Sequence, residues 1–189
     1  KIPWMDDDAA GFGDSYGDWE TRVVAGNSFD YPAVHAQAIR DAKSGVSISS
    51  ASMGALVQRS VGVADYQLLD IIFGLQKDSG RSSVVKYKTF SPELQQLLGE
   101  YLGGTGKVLV SGAYVGSDMS SSAEQKFTSQ TLGYTCKQNA PVSAVTCGNA
   151  EMSVVSTWNP QHYAVQSADV IEAVGNAQTL ATYADGQCA

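Results

Sequence analysis

Residues 66–112 hold an apolar strand, a capped amphipathic helix and a second strand in immediate succession, and that order constrains the fold more than any other feature of the chain. YQLLDIIFG (66–74) is apolar on both faces, as a central strand of a parallel sheet is. Ser91 is placed to cap a helix whose first position is Pro92, and Leu94, Leu97, Leu98, Tyr101 and Leu102 recur at the spacing of one buried helical face. Gly103 and Gly104 end that helix, and KVLVSG (107–112) reads as the next strand. Two strands joined through a helix pair in parallel, because a tight turn joins only antiparallel neighbours. The expected fold class is therefore α/β, with a mainly parallel, doubly wound sheet carrying helices on both faces.

The remaining elements are read against that unit. TRVVAG (21–26) is a short β-branched strand, followed by the loop NSFDY and a helix with Pro32 in its first turn and Val34, Ala38 and Ala42 as its apolar stripe. GVSISSASM (45–53) reads as another strand. SSSAEQKFTSQTL starts a further helix, with Ser122 and Gln125 at capping-box spacing. A β-hairpin insertion is expected around TCKQNAPVSAVTC, where Asn139 and Pro141 would turn the chain. Cys136 and Cys147 are then either a hairpin disulfide or a reduced pair, with Cys188 left over. Two later strands are expected near Met152 to Thr157 and Tyr163 to Val165.

At 189 residues the chain suffices for one domain with a sizeable core, so residues 1–189 are expected to form a single α/β domain. Twelve Lys and Arg against 19 Asp and Glu give a net charge of −7, which repels polyphosphate and argues against a nucleic-acid partner. Only 16% of residues are charged, a dilute-charge surface that suits an extracellular protein. No apolar run approaches the roughly 18 residues a membrane span requires. The start, KIPWMDDD, lacks a basic stretch followed by an apolar one, so a mature or excised piece with no membrane span is expected.

In an open α/β sheet ligands bind at the carboxyl ends of the strands, which singles out the loops at Asn27 to Tyr31, Ser49 to Ser52, Gly74 to Lys77 and Ser111 to Ser120. The candidate crevice residues are Asn27, Ser28, Asp30, Ser111, Tyr114, Ser117 and Asp118. Gly13-Asp14-Ser15 spells an esterase triplet, but the residues before it, WMDDDAAGF, cannot form the buried strand that would hold Ser15 rigidly. His162 also lacks an aspartate three residues before it, so a polar turn is the better reading. Gly112-Ala113-Tyr114-Val115-Gly116 is better placed: it follows a strand and has the spacing of a nucleophile elbow. Its central residue is a tyrosine, and a phenol is a poor nucleophile at neutral pH unless strongly activated.

The other constellations favour ordinary roles. Asp6, Asp7, Asp8, Asp14, Asp18 and Glu20 are hard ligands for calcium, yet Gly17 stands where an EF-hand needs glutamate, so a solvated acidic loop is expected and no metal site. No cysteine or histidine spacing suits zinc, and no cofactor is expected. Gly106-Lys107 lacks the Ser or Thr of a phosphate loop and leads from helix to strand. His35 reads as a packed, hydrogen-bonded histidine. Trp4, Phe12, Tyr16 and Trp19 read as a cluster pinning a long loop, the alternative being a surface that stacks on sugar rings.

The succession SPELQQLLGEYLGGTG, KVLVSG and AYVG resembles the class I glutamine amidotransferase-like fold, a flavodoxin-like architecture in which a cysteine occupies the elbow that Tyr114 holds here. More narrowly, DDDAAGFGDSYGDWETRVVAGNSFDYPAVHAQAI with KVLVSGAYVGSD resembles a domain of secreted bacterial proteins of the golvesin-like or xanthan lyase type. The resemblance implies a secreted, periplasmic or cell-surface setting among neighbouring domains, a carbohydrate ligand, and a chain that ends inside its own sheet after LATYADGQCA. Two functions are then expected to compete. One is a noncatalytic or catalytically degenerate module linked to polysaccharide or cell-envelope processing. The other is a serine-dependent hydrolase acting on carbohydrate or peptidoglycan, with Ser111, Ser117 or Ser28 as nucleophile, His35 or His162 as base and Asp30 or Asp118 as orienter.

Overall fold

The structure, a computed structural model, describes residues 30–74, 76, 88–141, 145–148 and 167–189. In chain order it contains helices α1 (Asp30–Ala42) and α2 (Met53–Val57), strand β1 (Leu68–Gly74), helix α3 (Pro92–Leu102), strand β2 (Lys107–Gly112) and helix α4 (Ser122–Phe127), which runs on as a π turn over Thr128–Leu132. Strands β3 (Tyr134–Pro141), β4 (Val145–Cys147), β5 (Ser167–Ala173) and β6 (Ala181–Tyr183) follow.

The strand–helix–strand unit folds as its sequence demands. β1 and β2 pair in parallel from Leu68↔Lys107 to Ile72↔Ser111, and a register irregularity precedes the last pair, Gly74↔Gly112. The Ser91 hydroxyl accepts the Leu94 N–H at 3.3 Å and so caps α3, with Pro92 in the first turn, where its missing N–H costs nothing. Leu94, Leu97, Leu98 and Tyr101 are buried, and with Ile71, Phe73, Phe90 and Met119 they form the core. Phe90 lies edge-on to Phe73 with ring centroids 4.9 Å apart, and its other neighbour, Phe127, is at 5.6 Å.

Successive side chains of a strand point to opposite faces. Ile71 and Phe73 point into the core beneath α3, whereas Asp70, on the other face, meets His35 of α1 at 2.8 Å. Helices therefore lie on both faces of the β1–β2 pair. The two other sheets among the described residues are antiparallel, β3 with β5 and β4 with β6, so the described residues form an α/β arrangement with small parallel and antiparallel sheets.

Several local expectations are corrected. Residues 46–52 form no strand; Ser52 caps α2 by accepting the Ala55 N–H at 3.1 Å, so a Ser-rich stretch serves as a helix start. In α1 the expected stripe of Val34, Ala38 and Ala42 is exposed, and the half-buried side carries His35, Ala36 and Ile39. The capping box of α4 sits one residue earlier than expected, on Ser121 and Glu124. The two cysteines do not flank a hairpin: Cys136 on β3 stands opposite Ile171 of β5, and Cys147 on β4 opposite Ala181 of β6. Each strand finds a distant partner of matching length, the thiols fall in different sheets, and all three cysteines are free. The strands expected at 21–26, 152–157 and 163–165 lie outside the described residues. No helix among the described residues is long and apolar enough to cross a membrane.

Candidate functional site

β2 ends in a turn over residues 113–118, and this turn is where the parallel pair meets the rest of the protein. Ala113 is bracketed by both neighbours: its N–H donates to Gly74 O at the end of β1 and its carbonyl accepts the Asp169 N–H of β5, each at 2.9 Å. Tyr114 thus stands directly beyond the carboxyl end of β2, half-buried, with its carbonyl accepting the Thr89 hydroxyl at 3.4 Å. Two glycines allow this approach. A Cβ on Gly112 would lie 2.8 Å from Phe73 Cβ, and one on Gly116 would lie 2.8 Å from Cys136 Cβ and 3.2 Å from the Asp169 carboxylate.

That carboxylate organises the end of the turn. Asp169 is 5% exposed, and its Oδ2 accepts the backbone N–H groups of Gly116 and Ser117 at 2.6 and 2.7 Å. Its Oδ1 accepts the Asn139 side-chain amide at 2.7 Å. Three donors meet one buried charge, which is the condition under which a carboxylate is tolerated in an interior. On the far side of the turn the Tyr134 hydroxyl donates to Val115 O at 2.7 Å. Burial, with the negative Asp169 and the Cys136 sulfur close by, pushes the Tyr134 phenol well above its ordinary range. Burial and Asp169 likewise raise the Cys136 thiol, so it stays protonated and sluggish as a nucleophile.

These shifts set the sign of an alkaline response. A phenol whose folded pKa is raised contributes its full stability below its unfolded value and loses it as pH climbs through the range above about pH 10. Tyr183 shifts the same way, through burial, Asp169 and Cys188. Thermal melts of the wild type are therefore expected to fall steeply above about pH 10. Tyr134→Phe should soften that fall while costing about 1 kcal/mol at neutral pH for the lost hydrogen bond to Val115. An unchanged alkaline slope in the variant would contradict this assignment.

The candidate residues divide clearly. Tyr114, Ser117 and Asp118 share the turn, and Ser111 stands in β2 opposite Ile72. Asp118 is engaged structurally, since its Oδ2 accepts the Thr89 N–H at 2.7 Å and the Thr89 hydroxyl at 3.0 Å, and its carbonyl accepts Lys88 Nζ at 2.6 Å. Lys88 also meets Glu124 at 3.1 Å, which ties α4 to the same segment. His35, expected to be a packed histidine, is hydrogen-bonded to Asp70 in the middle of β1, not at its tip. Among the described residues no serine hydroxyl bonds to it, and no cluster of His, Cys, Asp and Glu has the make-up of a metal site. Asn27, Ser28, His162, Ser15 and the acidic and aromatic N-terminal segment lie outside the described residues, as does the side chain of Asp30.

Beside the turn opens a cleft of about 330 Å³ lined by Gly116, Ser117, Ser120, Thr128, Thr135 and Cys136, among others. Its walls are neutral and rich in hydroxyls, suited to hydrogen-bonding a polar, uncharged ligand. Sequence reasoning reached Ser117 but missed Asp169, Asn139 and Tyr134; the one legible signal was an aspartate inside the apolar run ADVI, which must find donors if buried. No family model, curated protein or solved structure matches the chain.

Proposed function

We propose that the chain is a noncatalytic or catalytically degenerate α/β module of a secreted bacterial protein linked to polysaccharide or cell-envelope processing, doubly wound in the flavodoxin and class I glutamine amidotransferase manner. The observation that carries this reading is Tyr114, a phenol in the turn beyond β2, where an elbow enzyme of that type would hold its thiol or activated alcohol. Helices on both faces of the β1–β2 pair support the doubly wound part of the reading.

Two further features favour a silent turn over a hydrolase. Asp118, the expected orienter, is spent on Thr89 and Lys88, and His35 is engaged by Asp70 at mid-strand. A working nucleophile and base need to come within about 2.6–3.2 Å of one another. The neutral cleft beside Ser117 then serves for a carbohydrate ligand or a neighbouring domain of the parent protein.

A serine-directed fluorophosphonate probe tests the reading. No covalent adduct is expected after prolonged incubation of the folded protein. Labelling at Ser117, Ser111 or Ser28, abolished by His35→Ala or His162→Ala, would replace the module with the serine hydrolase.

A further inference from the structure

Successive backbone N–H groups that converge on one point make a receptor for an anion, and enzymes with an elbow turn use such donors to hold a developing oxyanion. In this protein the amides of Gly116 and Ser117 converge in that way, on a single carboxylate oxygen at 2.6 and 2.7 Å. The occupant is Asp169, delivered by β5 and steadied twice: its own N–H is bound by Ala113 O at 2.9 Å, and its second oxygen is held by Asn139 at 2.7 Å. Gly116 and Ser117 also form one wall of the hydroxyl-lined cleft, so the amide pair borders space that a ligand can enter.

We infer that the Gly116–Ser117 amide pair is a carboxylate-binding site that the protein fills with its own Asp169, an internal ligand that keeps external carboxylates and oxyanions out of the turn. A carboxylate is the right occupant on three grounds: the groups facing it, two backbone N–H groups and the Asn139 Nδ2, are donors, the two oxygens divide those donors between them, and no cation of the protein bonds to Asp169 among the described residues. Gly116 has no side chain to crowd the oxygen, and a Cβ there would stand 3.2 Å from it. The self-occupancy goes beyond the module reading and does not depend on what the parent protein processes. It does explain why the turn lacks an open oxyanion receptor even where a serine, Ser117, is at hand.

Chemical rescue tests the inference. In Asp169→Gly the side chain is deleted and the amide pair is left without its anion, so formate and acetate should raise the melting temperature saturably, while equal concentrations of chloride do not. The wild type should show no carboxylate-specific rise, because its site is full. If Asp169→Gly folds only when formate or acetate is present, that also supports the inference. If carboxylates and chloride act alike on a folded variant, the site is not carboxylate-binding and the inference fails. Should the variant stay unfolded under all conditions, amide proton shifts of Gly116 and Ser117 decide the question. They should lie far downfield in the wild type and move upfield in Asp169→Asn; amides that do not move would overturn the inference. Fluorophosphonate labelling reads a different property, so failure here and failure of the module reading are separable.

Discussion

Phe90→Ala should lower the unfolding free energy by about 3–5 kcal/mol, the range for removing a fully buried aromatic from a packed core. Phe90 has no exposed surface, and its ring is the middle of a three-ring cluster, edge-on and tilted, that joins Phe73 of β1 to Phe127 of α4. It lies in neither helix nor strand, just ahead of the Ser91 cap, so its position depends on tertiary contacts and not on a local ladder. The next residue back, Thr89, is tied to Asp118 in the turn beyond β2. Truncation should therefore loosen the turn as well as the core. Phe90→Leu keeps most of the volume and should cost much less, whereas Leu109→Ala, at a position 47% exposed, should stay within about 0.5 kcal/mol. Urea titrations check all three, and a drop in midpoint without a change in slope assigns the loss to stability.

The parallel unit could be read from the sequence because each of its signals is local. A serine cap, a proline in the first turn, leucines at helical spacing and an apolar strand on either side point to the same answer at every level, and the structure follows them almost residue for residue. The cysteine region fails for the opposite reason. Asn139 and Pro141 supply a local turn signal, but β3 pairs with β5 from Tyr134↔Ala173 to Pro141↔Ser167, a long ladder whose two halves lie far apart in the chain. Pairing at such distance leaves no local mark, so tertiary context outweighs the turn chemistry. The stretch at 45–53 fails on composition: serine side chains compete for nearby backbone groups, and Ser52 accepts the Ala55 N–H and ends up as a cap.

The site divides along the same line. The elbow spacing of Gly112 and Gly116 was visible because backbone crowding is written in glycine, and both positions prove too close to Phe73 and Cys136 for a side chain. The groups that give the turn its chemistry come from β3 and β5, and nothing near residues 112–116 announces them. Asp70 was missed likewise. It sits in an apolar strand, meets His35 with one oxygen and leaves the other, Oδ1, buried without a hydrogen-bond partner among the described residues.

Gly116→Ala should destabilise the protein by about 2–3 kcal/mol, near the upper part of the range for overpacking by one methyl group. The methyl would meet Cys136 Cβ at 2.8 Å and Sγ at 3.1 Å, and a Cβ cannot swing aside as a long side chain can, because it moves only with the β3 backbone. That backbone is held by the β5 ladder, and Asp169, at 3.2 Å from the added carbon, is fixed by the same strand. Alanine narrows the unfolded ensemble and so favours folding by about 0.4–1 kcal/mol, too little to offset the clash. Cys136→Gly removes both offending atoms at a separate strand cost of about 1 kcal/mol. The double variant should therefore be more stable than the sum of the single losses predicts, by at least about 1 kcal/mol in a thermodynamic cycle. Strict additivity would mean that the turn does not press against β3, and the close seating of Asp169 on the Gly116 and Ser117 amides would fall with it.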